Sequence, residues 1–311
     1  MTRVVRTVLG DIPSDDLGVT YAHEHLIIDS PLVAERWPNI HLPSADEAVD
    51  ELALCTKAGV RTFVDAMPIG AGGNIVRLAE ISRRAGINVV AATGLHTPRY
   101  YEDHPWSLEG STGQMVAKFI SDVDDGFGRT DFRAGIIKVA TIGPKIDERE
   151  KRLFRAAAIS SRTTGAAILT HCEDGLGGVE QVSLLLELGT PPDRIILSHT
   201  DKVTDPGYHR ELLASGVNVE YDQSLRQAED AVPQTATLIA QMCEEGFGSH
   251  IMLGTDGARR SLWASLGGSP GLAWLATGFV EILRDHEVAE SQIKAMLVEN
   301  PARVLPLAAS T

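Results

Sequence analysis

Short apolar runs alternate eight times with stretches of helical spacing along this chain, and that alternation is the tightest constraint on its fold. The runs are Leu17–Ala22, Arg61–Ala66, Asn88–Thr93, Gly135–Thr141, Ala167–Thr170, Arg194–Ser198, Asn218–Tyr221 and His250–Gly254. Several are apolar on both faces, as strands of a buried parallel sheet are. Helical stretches fill the gaps at Ser44–Ala58, Asn74–Ala85, Gln114–Val123, Glu148–Thr163, Gly178–Leu188, Tyr208–Ala214 and Gln234–Glu245. Two more, Gly271–Asp285 and Glu290–Val304, close the chain. The first opens on Ser-Ala-Asp-Glu, a capping-box pattern, and several stop at a glycine (Gly59, Gly86, Gly165, Gly189, Gly216, Gly246).

Eight such units build either a closed (β/α)₈ barrel or a large open doubly wound sheet. No linker, composition shift or internal repeat divides the 311 residues. We therefore expect one α/β barrel domain over residues 1–311, a length that barrels reach as a single unit.

The placement of polar residues favours closure. His23 and His25 end the first run in Tyr-Ala-His-Glu-His-Leu, and Lys138 lies inside the fourth. His171 ends the fifth, His199 the sixth and Asp256 the eighth. In a closed barrel these ends converge on the face where barrel enzymes keep their active sites, whereas an open sheet spreads them along a line. Side chains alternate along a strand, so His23 and His25 share a face and can hold one ion together, with Glu24 turned away in a structural role. A lone histidine at a strand end is more often a hydrogen-bonded core residue than a ligand. Five of ten histidines at such ends, His96 included, are not explained that way.

Lys138 is the most informative single residue. An ammonium in a buried apolar strand costs several kcal/mol unless it is paired or discharged. Three readings stand: an internal ion pair, a Schiff-base lysine as in barrel aldolases, or a neutral amine that has added carbon dioxide to become a carbamate bridging two cations. Four imidazoles at the same end favour the carbamate, since cations there would repel an ammonium.

Net charge excludes some partners. With 42 acidic and 28 basic residues the chain carries −14, which provides neither the basic stripe that nucleic acid needs nor a polybasic handle for anionic membranes. Cys55, Cys172 and Cys243 form no disulfide framework, no apolar run spans a bilayer, and the N-terminus lacks a secretory-length apolar stretch. A cytoplasmic enzyme acting on a small molecule is the expectation.

The ordered set of His-x-His, fourth-strand Lys, two further His and eighth-strand Asp resembles the phosphotriesterase family of the amidohydrolase superfamily, including its phosphotriesterase-like lactonases. The resemblance runs over nearly the whole chain, through Leu-Gly-Val-Thr-Tyr-Ala-His-Glu-His-Leu, Ala-Thr-Gly-Leu at 92–95 and Glu-Asn-Pro-Ala-Arg-Val-Leu at 299–305. It implies His23, His25 and Asp256 on a buried metal, His171 and His199 on a more exposed one, and carboxylated Lys138 bridging both. The ions would be divalent, zinc first, with manganese, cobalt, iron or nickel also accommodated. A metal-bridging hydroxide would be the nucleophile, with Asp256 taking its proton. Relatives in the family are often homodimers.

The resemblance leaves the substrate open among lactones, phosphotriesters and N-acyl compounds. We expect a sugar lactone, phosphorylated or not, or an acyl lactone. Phosphotriesterase and N-acyl amidohydrolase activities rank next, and a Schiff-base aldolase or a metal-bound binding module are the readings from other classes. The family's usual aromatic residue after Ala-Thr-Gly-Leu is replaced by His96, with Tyr100 and Tyr101 close behind. Arg226 and Arg259 fall where phosphosugar-lactonase relatives place phosphate ligands, while the partner tyrosine is replaced by Leu262. Ion pairs outside the site are the competing assignment for both arginines. Lys202 and Arg260 are second-rank candidates. The segment Ser261–Gly271, with Trp263, reads as a partly apolar lid or as a packed loop.

Overall fold

The computed structural model describes residues 3–308 except 69, 103–106 and 108, so the ends of the expected 1–311 domain lie outside it. A hairpin comes first: β1 (Val4–Thr7) and β2 (Gly10–Pro13) pair antiparallel. Eight parallel strands follow, β3 (Val19–Glu24), β4 (Val60–Asp65), β5 (Asn88–Gly94), β6 (Ile136–Lys138), β7 (Ala167–His171), β8 (Ile195–Ser198), β9 (Asn218–Tyr221) and β10 (Ile251–Leu253). They lie side by side in chain order. The seam between β10 and β3 is drawn together just beyond the strand end, where Thr255 and Asp256 both donate backbone N–H groups to the His23 carbonyl at 3.1 and 3.2 Å. The barrel expected from the placement of polar residues is the one found.

Two apolar cores result, one on each side of the sheet. Ala22, Val64, Ile136, Leu169, Ile196 and Met252 fill the barrel interior. The alternate positions, among them Phe63, Ile137, Ile168, Leu197, Val219 and Ile251, face the surrounding helices. Fully burying each such side chain contributes about 1.5–3 kcal/mol.

Helix boundaries follow local chemistry. Ser44 accepts the Glu47 N–H at 3.2 Å and starts the helix Ala45–Lys57. Asp147 and Glu150 form a reciprocal capping box for Glu148–Thr164, which Gly165 ends in left-handed conformation at φ +79°. The expected helices 271–285 and 290–304 are less regular than their spacing predicts. Each contains a π-helical turn, at Leu275–Phe279 and Ala295–Glu299. The hairpin and the short helix Pro31–Arg36 were not expected, because neither presents a period long enough to read.

Candidate active site

Strand alternation sets the floor of the site. In β6, Ile136 and Lys138 face inward while Ile137 faces out, so Lys138 enters the barrel interior from an apolar strand. Its side chain is 0% exposed and its Nζ lies 3.4 Å from the Thr170 carbonyl. Among the described residues no carboxylate comes within 4.0 Å of Nζ, which removes the internal ion pair. Burial pulls its pKa down to about 8, against the pull of Glu220, Asp256 and Asp222.

Above Lys138 the histidine rings pack against one another. Centroids lie 5.2 Å apart for His23–His25, 4.8 Å for His23–His199, 4.5 Å for His171–His199 and 4.6 Å for His96–His171. Burial, with the neighbouring charges, holds His23 and His96 well below the usual imidazole value and brings His171 to about 3. Burial also lowers His199, although Asp222 opposes it.

The partners of the rings settle which nitrogen faces the centre. His171 Nε2 meets Glu173 Oε2 at 2.8 Å, and His199 Nδ1 lies 2.6 Å from Asp222 Oδ2. His23 Nδ1 reaches Ser198 Oγ at 3.0 Å and Glu220 Oε2 at 3.3 Å. The Glu173 and Asp222 carboxylates only accept, so His171 Nε2 and His199 Nδ1 carry the ring hydrogens and leave the other nitrogen of each ring with a free lone pair. His23 Nε2 and His25 Nε2 then face each other at 3.3 Å, and Asp256 Oδ1 stands 3.3 Å from His25 Nε2 and 4.0 Å from His23 Nε2. Two imidazoles and a carboxylate drawn this close together are the donor types that hold a divalent cation, so the residues present fit one.

Geometry also groups His23, His199 and Asp222 as a possible ligand set. We read Asp222 instead as the outer carboxylate of His199, because its oxygen meets the nitrogen turned away from the centre. Burial alone would raise the Asp256 carboxyl, but the Arg226 guanidinium and the hydrogen bond with His25 hold it well below the usual range. Glu24 has the structural role expected of it. It accepts from the backbone N–H of His25 and Gly257 and from the Thr255 hydroxyl.

A cleft of about 380 Å³ opens over this cluster. His25, His171, His199 and Asp256 line it, together with His96 and Tyr100, whose rings pack edge to face at 4.8 Å. Arg99, Lys202, Arg226 and Arg259 also reach it. Arg259 is exposed and makes no ion pair among the described residues, whereas Arg226 is bound to Asp256. Two expected residues do not line the cleft. Arg260 is paired with Glu47 at 3.0 Å. Trp263 is 1% exposed and donates its indole N–H to the Gly257 carbonyl at 2.7 Å, so it anchors its loop from within instead of touching a substrate.

The whole 261–271 segment is tied down as a packed loop. Glu51, buried on its helix, accepts the Ser265 and Leu272 N–H groups at 2.7 Å each. Glu173, Asp222 and Glu220 escaped sequence reasoning. Glu220 and Asp222 lay in and just after the seventh run, a polar pair in an apolar strand, and that was the available signal.

The Phosphotriesterase family profile matches residues 3–305. A phosphotriesterase homology protein of Mycobacterium tuberculosis is 31% identical, over 96% of this chain and 97% of its own. A phospho-furanose lactonase of Mycoplasmopsis synoviae is 29% identical, over 97% and 92%. An amidohydrolase structure from Mycoplasma synoviae superposes with a TM-score of 0.94 at 28% identity, covering 100% of this chain and 94% of that one. The chain belongs to the phosphotriesterase family and is a hydrolase of the ester-bond class.

Proposed function

We propose that this protein is a metal-dependent lactonase acting on a lactone that carries an anionic group, a phosphorylated sugar lactone foremost. The observation that carries the reading is the gathering of His23, His25, His171, His199 and Asp256 around buried Lys138 beside one cleft, with the histidine rings packed against one another.

His23, His25 and Asp256 would hold one divalent ion and His171 and His199 a second. Lys138, as a carbamate, would serve both. The neutral Lys138 amine adds to carbon dioxide, forming the N–C bond and releasing one proton. A pKa near 8 leaves roughly a tenth of the amine neutral at pH 7. When bound, the two ions would supply an activated water and a polarised carbonyl for ester hydrolysis. The chain's own part is to keep the donors dry and fixed, to hold a proton on Asp256, and to orient substrate.

Arg259 lines the cleft and makes no ion pair among the described residues, which suits a substrate phosphate or carboxylate. His96 and Tyr100 would pack the lactone ring. The phospho-furanose lactonase relative supports this substrate class. The Schiff-base alternative is weaker, because Lys138 lies beneath the cleft and does not line it.

The test is to strip the protein with chelator, restore zinc, manganese or cobalt singly, and assay lactones with and without a phosphate. Activity that returns with metal and prefers the phosphorylated ring is expected. Activity indifferent to chelation, with a borohydride-trapped Lys138 adduct, would overturn the reading.

A further inference from the structure

We propose that Glu173 is a positioning residue for the outer metal position, holding the His171 ring so that Nδ1 faces the metal. The inference rests on the metallohydrolase reading above. Glu173 stands two residues beyond His171, past the end of β7 and outside the six-residue pattern. Its Oε2 lies 2.8 Å from His171 Nε2. Since the carboxylate accepts only, Nε2 carries the ring hydrogen, and the neutral imidazole presents the Nδ1 lone pair. On its other face the ring packs against His199 and His96, so both its tautomer and its tilt are constrained.

The backbone makes this position of Glu173 a built one. The turn Glu173–Gly175 is closed by Gly175 N–H to the Cys172 carbonyl at 2.9 Å and Leu176 N–H to the Glu173 carbonyl at 3.0 Å. The Tyr208 hydroxyl donates to the Gly175 carbonyl at 2.8 Å. Gly175, at φ +78°, sits so close to the loop after β8 that a Cβ there would come 2.9 Å from the His199 carbonyl. The turn bearing Glu173 is therefore seated on the loop bearing the second outer histidine.

Arg99 reaches the same carboxylate through both terminal nitrogens, but at 3.4 Å, so His171 is the tighter partner. Asp222 holds His199 in the corresponding way, from the side away from the centre. Each outer ring thus has its own carboxylate. Loss of an outer carboxylate of this kind lowers metal affinity about 10- to 100-fold.

The experiment loads the full-length protein, E173A and E173Q with cobalt and follows metal equivalents per chain as chelator is raised, together with the cobalt absorption band. Wild type is expected to hold two equivalents. E173A should release one of them at about 10- to 100-fold lower chelator and keep the other. E173Q, which retains an acceptor oxygen, should fall between, and its intermediate curve decides the matter should E173A fail to fold. Release curves of both variants that coincide with wild type, or joint loss of both equivalents from folded protein, would overturn the proposal. Wild type binding no cobalt would instead overturn the metallohydrolase reading itself, and this proposal with it.

Discussion

Arg226 Nη2 grips Asp256 twice, at 2.7 Å on the side-chain Oδ2 and at 2.8 Å on the backbone carbonyl. Asp256 adopts φ +41°, a conformation that carries strain for a residue other than glycine, so the double grip fixes a backbone that would otherwise relax. Oδ1 is left facing His25 and His23. R226Q is expected to lower kcat/KM by about 10- to 100-fold, the equivalent of one charged hydrogen bond, with a larger fall in kcat than in the reciprocal of KM. Steady-state kinetics on protein of measured metal content checks this, and unchanged kcat would show that Arg226 does not position Asp256.

For Arg259 the proposed role is contact with the anionic group of the substrate. R259A is expected to raise KM for a phosphorylated lactone about tenfold or more beyond its effect on the same ring without phosphate. Parallel assays of the two substrates measure the ratio directly. Equal effects on both would remove the anionic group from the substrate assignment.

Lys138 yields a prediction about stability with a definite sign. Its folded value, about 8, lies below the usual 10.4. Between those values the unfolded chain binds the extra proton, so stability rises with pH there; below about 8 the folded state bears the full cost of the buried charge. Metal-free K138M is therefore expected to be more stable than metal-free wild type at pH 7, by about 1–3 kcal/mol, with the gap closing as pH climbs from 8 towards 10. Urea unfolding across that range tests it, and a K138M that is less stable at pH 7 contradicts it.

Gly254 makes the seam of the barrel possible. A Cβ there would stand 2.3 Å from Glu220 Oε1 and 2.8 Å from the His23 backbone N and O. Gly254→Ala is expected to cost about 1–3 kcal/mol of stability and to weaken metal retention, since both neighbours belong to the site. Urea midpoints and metal content report the two effects separately.

Much of the site was legible because ligand chemistry repeats at one structural address. His23, His25, His171, His199 and Asp256 each end a strand, and Lys138 breaks an apolar one; neither observation needs three-dimensional knowledge. Glu173 and Asp222 were not legible in the same way. Their roles depend on meeting nitrogens of His171 and His199, which is a matter of turn geometry. Trp263 shows the converse. An aromatic residue beside glycines after the last strand has the same appearance whether it covers a pocket or anchors a loop, and only its bond to Gly257 distinguishes them.

The chain's own order of residues determined the eight-unit alternation, the inward parity of Lys138 and the recurrence of imidazoles at strand ends, because period and punctuation are local properties that each segment carries alone. Tertiary structure decided which carboxylate holds which ring, that Arg226 is committed to Asp256 while Arg259 is not, and that the loop after β10 packs down. Those outcomes turn on distances between segments far apart in the chain, and such distances exist only once the barrel has closed.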